Sequence, residues 1–268
     1  MRQQAVMLVE HVIREDRSVL ELLDADYTFV TGKLAKFYRM SGVDDLPQDE
    51  FRRVDLQDDK SRGGLLGLGG VLALTSHISE QQTSPVLRGA WVLDTLLGTR
   101  IPAPPEDVPA LDKKKRKKEK LTLRATLEMH REDKACAACH NLMDPIGFGL
   151  ENFDFLGRWR EEDNGQPLDT TGRMPSGESF SGPNELKHVL LERRDAFARQ
   201  LVRKLLGYAL GRSLSDADEC TIDRLLGELE ENEYRGSALL KSIVLSTPFR
   251  NKSLPKDEIA LAQDLEEP

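Results

Sequence analysis

The stretch Cys136-Ala137-Ala138-Cys139-His140, in the middle of a 268-residue chain, puts two thiols three residues apart with an imidazole directly after the second. On a helix that spacing brings both sulfurs to one side of a turn. Two cysteines so placed can reach the two vinyl groups of one porphyrin while the following histidine binds its iron, the attachment pattern of a c-type haem. Thioether bonds hold the group even where the surrounding core is small. The expectation is one covalent haem c on Cys136 and Cys139, with His140 as an axial iron ligand. The host predicted for it is a mainly α protein: a helical c-type cytochrome-like domain with small β-hairpin elements, flanked by helical regions.

Two other uses of the cysteine pair compete. A zinc site needs four ligands, and the remote candidates, His188 and Cys220, form no second pair. A redox dithiol sits at a helix start in a βαβ context, which this sequence lacks. No nucleophile elbow surrounds His77, and the glycines at 63–70 lack the Lys-Ser/Thr ending of a phosphate loop. The reading is therefore electron transfer, with two alternatives: a peroxidase-like haem enzyme with an open sixth position, or a non-haem scaffold or zinc-binding module.

Immediately outward lie the partners such a haem needs. Met174, on a loop bounded by Gly172, Pro175 and Gly177, is one candidate sixth ligand, and His130, ten residues before His140, is the alternative. Met143 shares a turn with His140 and is expected in the core, and His188 reads as structural. A carbonyl near Pro145 is expected to accept from the His140 Nδ1–H. Phe148, Leu150, Phe153 and Trp159 are suited to line the porphyrin, and Arg158 and Arg160 to pair with its propionates.

Further out, helical periodicity dominates. Helices are expected over 2–23 and 26–40, with Val6, Val9, Val12 and Ile13 on one face of the first. Leu20, Leu22, Leu23, Phe29, Leu34 and Phe37 are the core candidates there. An irregular connection follows over 41–62. A glycine-interrupted helical region spans 63–98. Within it, Ser84-Pro85 supplies an N-cap and first residue, and Gly98 a stop. The prolines and the Lys113–Lys120 run make 99–120 a solvated linker. Turn signals at Asn164-Gly165, Thr171-Gly172 and Ser176-Gly177 predict small hairpins. Helices follow over 184–193, 195–210 (capped by Gly211), 216–231 (started by Ser215) and 236–246. The domain division is 1–57, 58–160 and 161–250, with a polar tail over 251–268.

Bulk properties narrow the class. Apolar residues are 39% and charged residues 31%, enough for a packed core under a charged surface. A net charge of −8 argues against nucleic acid as a partner. No stretch has the roughly 20 apolar residues of a membrane span. Cys220, the odd cysteine, is expected as a small buried residue. The N-terminus reads as amphipathic helix rather than an export signal, although haem attachment to this motif normally follows export. The chain is therefore read as incomplete at its N-terminus and exported, periplasmic or cell-surface in location.

The run Cys136–Arg160, with Met143-Asp144-Pro145-Ile146-Gly147-Phe148 and Leu150-Glu151-Asn152-Phe153-Asp154, resembles large planctomycete cytochrome c-type proteins that carry tandem domains of unknown function. The likeness extends to Leu22–Phe29, to Ser84–Gly89 with Pro102–Pro109, to Phe180 and Gly182, and to Leu205–Arg212 and Ser246–Arg250. The Lys113–Lys120 run looks like an insertion between matching segments. The resemblance implies an exported protein with further domains upstream, often including another cytochrome c module. Such a module, or a separate redox protein, is the implied partner. In that family the position of Met174 is often Leu, which favours His130 as the sixth ligand.

Overall fold

The computed structural model describes residues 1–57, 60–102 and 119–251. It is mainly helical, with four two-stranded antiparallel pairs. Helix α1 (Arg2–Arg14) buries Gln4, Leu8 and Val12, one residue per turn of a single face. Val6 and Val9, expected on the apolar face, are exposed instead. The buried Gln4 is satisfied from both sides: its Nε2 donates to Thr28 Oγ1 at 3.1 Å, and its Oε1 accepts from the Tyr38 hydroxyl at 3.2 Å.

The helix expected over 26–40 is corrected. After the single turn α2 (Glu21–Asp24), β1 (Tyr27–Val30) pairs antiparallel with β2 (Arg52–Asp55), Tyr27 opposite Asp55. Tyr-Thr-Phe-Val is a run of β-formers, and all four residues are buried. Only then does Thr31 cap α3 (Gly32–Tyr38), its side chain accepting from Leu34 N. Leu22, Leu23 and Phe29 enter the core as expected, while Leu20, Leu34 and Phe37 pack at its edge.

The 63–98 region is also more broken than its leucines suggest. It holds α4 (Gly69–Leu74), a minimal hairpin of β3 (Ser76–His77) and β4 (Gln82–Thr83), and α5 (Pro85–Trp91). Ser84 caps α5 as read from the sequence, accepting from Leu87 N, with Pro85 in the first turn. The helix then widens into a π segment over Val92–Leu96 before Gly98 turns the chain with φ +69°.

Two further helices, α6 (Leu123–His130) and α7 (Lys134–Phe148), precede the hairpins β5 (Glu162–Asp163) with β6 (Gln166–Pro167) and β7 (Thr171–Arg173) with β8 (Ser179–Ser181). Asn164 and Gly165 both take positive φ, as a two-residue hairpin turn requires. Helices α8 (Gly182–Glu192), α9 (Arg194–Leu210), α10 (Glu219–Glu231), α11 (Gly236–Leu245) and α12 (Thr247–Arg250) complete the order. Gly211 ends α9 in the left-handed region, and Ser215 forms a capping box with Asp218 ahead of α10.

One apolar cluster takes Leu8 from α1, Leu93 from the π segment, Ile146 from α7, Leu186 from α8 and Leu225 from α10. All three sequence segments thus contribute to it. Cys220, expected inside, is exposed on α10, and His188 is exposed on α8. Residues 103–118, which hold most of the basic run, and 252–268 of the tail lie outside the described residues. No helix among the described residues is long and apolar enough to cross a membrane.

Candidate functional site

Helix α7 carries the cysteine motif. Asp133 caps it, its carboxylate accepting from Ala135 N at 2.8 Å, so Cys136 lies in the first turn and Cys139 and His140 in the next. Both thiols are free and partly exposed. Pro145 lies inside the helix, which nevertheless runs on to Phe148. Its C-terminal half is clamped to α5 by backbone contact. A Cβ on Gly89 would meet the Met143 carbonyl oxygen at 1.9 Å, and one on Gly147 would meet the Pro85 carbonyl oxygen at 1.9 Å. Only glycine permits that approach. The antiparallel pairing of α5 with α7 carries the buried π segment residues toward the cysteine end, where Cys139 packs against the same core as Leu93 and Leu96.

His140 is held from within its own helix. Its Nδ1 lies 3.0 Å from both carboxylate oxygens of Asp144, one turn on. The His140 side chain is 17% exposed and that of Asp144 0%. The Nδ1 partner is thus a carboxylate side chain, not the carbonyl near Pro145 expected from the sequence. Burial pushes the Asp144 carboxyl up from the usual range, opposed by the nearby His140. With Nδ1 occupied, Nε2 is the nitrogen left to bind a metal, and it makes no hydrogen bond among the described residues.

His130, the last residue of α6, meets His140 edge to face, with ring centroids 4.8 Å apart. Burial and the neighbouring His140 hold its pKa below the ordinary histidine value. Arg131 follows it, reaching Asn141 Oδ1 at 3.4 Å, and its Nε is buried with no hydrogen-bond partner among the described residues. Met174 is elsewhere in character: 2% exposed, it belongs to the main core, at a tight turn closed by Gly177 N on its carbonyl at 2.9 Å. Met143 is core, as expected.

The remaining candidates are engaged within the chain. Phe148 is buried beneath Arg124, whose guanidinium lies 4.0 Å from the ring centroid. Phe153 is sealed, edge to face with Trp159 at 5.4 Å. Arg158 pairs with Asp154 at 2.6 Å, and Arg160 with Glu151 at 2.7 Å. Arg158 and Arg160 therefore serve carboxylates of this protein.

Glu151 also receives Arg88, which the sequence reading did not single out. The Arg88 side chain is 0% exposed and that of Glu151 4%, with Nη1 to Oε1 at 2.8 Å. Arg88 donates in addition to the carbonyls of Leu150, Phe153 and Asp154. It thereby fixes the segment after α7 onto α5. A lone arginine inside the apolar run Val86–Leu97 is the signal that could have found it.

Among the described residues, no group of three or more His, Cys, Asp and Glu side chains is arranged to hold a metal ion by itself. The donor set does suit a haem supplied with its own four nitrogens: two partly exposed free thiols a turn apart and one imidazole whose Nδ1 meets Asp144, leaving Nε2 open.

Three family models match the chain, each described as a protein of unknown function: DUF1592 over residues 1–40, DUF1588 over 62–163 and DUF1585 over 176–249. These are the tandem domains of planctomycete-type cytochrome c-like proteins, and the Cys136–His140 motif falls inside the second. No curated protein and no solved structure matches the chain.

Proposed function

We propose that this protein binds one c-type haem through Cys136 and Cys139, ligates its iron through His140 Nε2, and passes single electrons between redox partners as part of a larger exported protein. The observation that carries the reading is the pairing of two free, partly exposed thiols with a histidine whose Nδ1 is already occupied. Bound haem supplies a one-electron ferric–ferrous couple; the chain supplies attachment, ligation and burial. The clamp between α5 and α7 gives the cysteine helix a fixed base, and the core under Cys139 covers one side of it. His130 is the sixth-ligand candidate that adjoins His140, and it would serve as a second nitrogen donor to the iron if the two rings, with centroids 4.8 Å apart, separated. Arg131, which follows His130 and reaches Glu128 at 3.7 Å and Asn141 at 3.4 Å, is the arginine that would meet a propionate on this reading. The partner is another cytochrome module or a separate redox protein. A zinc site needs four ligands, and among the described residues no group of three or more His, Cys, Asp and Glu side chains is arranged to hold one.

The test is an alkaline pyridine haemochrome spectrum of the chain matured in an exporting host. A covalent haem band is expected. Its absence, under conditions that mature other c-type cytochromes, sinks the proposal. A second reading, an open sixth position with peroxide or oxygen chemistry, is favoured by the carboxylate on His140, which makes the imidazole a stronger donor. Rapid carbon monoxide binding to the reduced protein selects it over electron transfer.

A further inference from the structure

We infer that Asp144 is the positioning residue of the haem ligand, fixing the tautomer and ring plane of His140 and setting the haem's reduction potential low. The inference rests on the haem reading above and goes beyond it in naming what tunes the iron.

Three observations carry it. Both Asp144 oxygens stand 3.0 Å from His140 Nδ1, so the ring is gripped symmetrically. Both residues belong to one helix, a turn apart, so the pair moves as a unit with the cysteines. Asp144 is 0% exposed, and His140 is its hydrogen-bond partner among the described residues. Burying a carboxylate is expensive unless its partner is well placed. A leucine or an amide at this position would serve packing at lower cost, so the carboxylate marks a role for its charge.

The consequence follows from ligand chemistry. An acceptor on Nδ1 keeps the proton there and directs the lone pair of Nε2 outward. A carboxylate accepts more strongly than a carbonyl and raises the basicity of the ligating nitrogen. A more basic ligand favours ferric over ferrous iron, which lowers the potential. In a titration, dithionite supplies the electron that takes ferric haem to ferrous, with no bond to the protein made or broken.

The experiment compares wild type with Asp144→Asn, both matured as the full chain in an exporting host. Wild type is first checked for its pyridine haemochrome; a missing band overturns the haem reading itself, before any variant is compared. In the loaded variant the haemochrome yield per chain is expected to hold. Its reduction equilibrium constant is expected to rise about tenfold, about 59 mV for a one-electron couple. An unchanged potential in a folded, loaded variant overturns the inference. Should Asp144→Asn not fold, 15N spectra of the histidines in wild-type apoprotein decide instead. A proton on His140 Nδ1 near neutral pH supports the inference, and a proton on Nε2 overturns it.

Discussion

Gly89 and Met143 touch backbone to backbone: a Cβ added at Gly89 would stand 1.9 Å from the Met143 carbonyl oxygen. The atom met is main chain, so no side-chain rotation relieves it. Gly89→Ala must push α5 away from α7 along the contact that seats the cysteine helix. Overpacking of this kind costs about 1–3 kcal/mol, and a backbone clash belongs at the upper end. Chemical denaturation is expected to show a lower midpoint with an unchanged slope. Alanine at Gly227, where a Cβ meets nothing within 4 Å, serves as the control and is expected to be neutral or slightly stabilising.

Arg88 carries a second prediction. Its guanidinium is enclosed with Glu151 and three backbone carbonyls between α5 and the segment after α7. Arg88→Ala leaves Glu151 with Arg160 and Thr83 as partners and a cavity behind it; the Leu150 and Asp154 carbonyls keep their backbone donors, Phe153 N and Gly157 N, while that of Phe153 loses the Arg88 bond. Breaking a buried pair from one side costs about 3–5 kcal/mol. Urea unfolding is expected to lose that much. A loss below about 1 kcal/mol would mean that Arg160 alone satisfies the site.

The contrast between these residues and the cysteine motif shows which signals a sequence carries. Ser84-Pro85, Asn164-Gly165, Gly211 and Ser215 act on backbone groups within a few residues, and each was legible because its effect is local. Strand β1 was not, since its pairing partner Arg52–Asp55 lies far along the chain and a short apolar run reads equally as helix. Cys136, Cys139 and His140 were legible as a motif, yet the meeting of His130 with His140 depends on how α6 packs on α7. Asp144 is within reach of sequence reasoning, since it stands four residues after His140 on one helix, and i,i+4 side chains meet on a helix face.

Asp218 gives a pH-dependent prediction. Its carboxylate accepts two bonds from Arg212 at 2.8 Å each and one from Ser215 N at 2.8 Å, closing the capping box of the short 3-10 turn that leads into α10. The Arg212 guanidinium foremost, with the Ser215 hydrogen bonds, holds its pKa well below the usual carboxylate range. A depressed folded-state value means that the unfolded chain binds the proton first as pH falls. The stabilisation is therefore complete above the unfolded value of about 3.9 and fades as pH falls through the folded one. Asp218→Asn is expected to lose about 1 kcal/mol at pH 7, the size of a helix-cap loss. Thermal melts of the two proteins should converge well below pH 4; a constant gap at all pH values would show that shape, not charge, holds the cap.

Met174 and His130 separate packing from ligation in one comparison. Met174 is 2% exposed within the main core, so Met174→Ala removes buried volume and is expected to cost about 2–5 kcal/mol. If the sixth ligand is His130, the loaded Met174→Ala protein keeps a low-spin spectrum at temperatures where it is folded. His130→Ala is expected to do the reverse. Removing a half-exposed imidazole at the end of α6 costs little stability, while the iron loses its second axial nitrogen and turns high-spin and open to carbon monoxide. Low-spin spectra retained in both variants would remove both residues as ligands. Loss in Met174→Ala alone would mean that the thioether leaves the core to reach the iron.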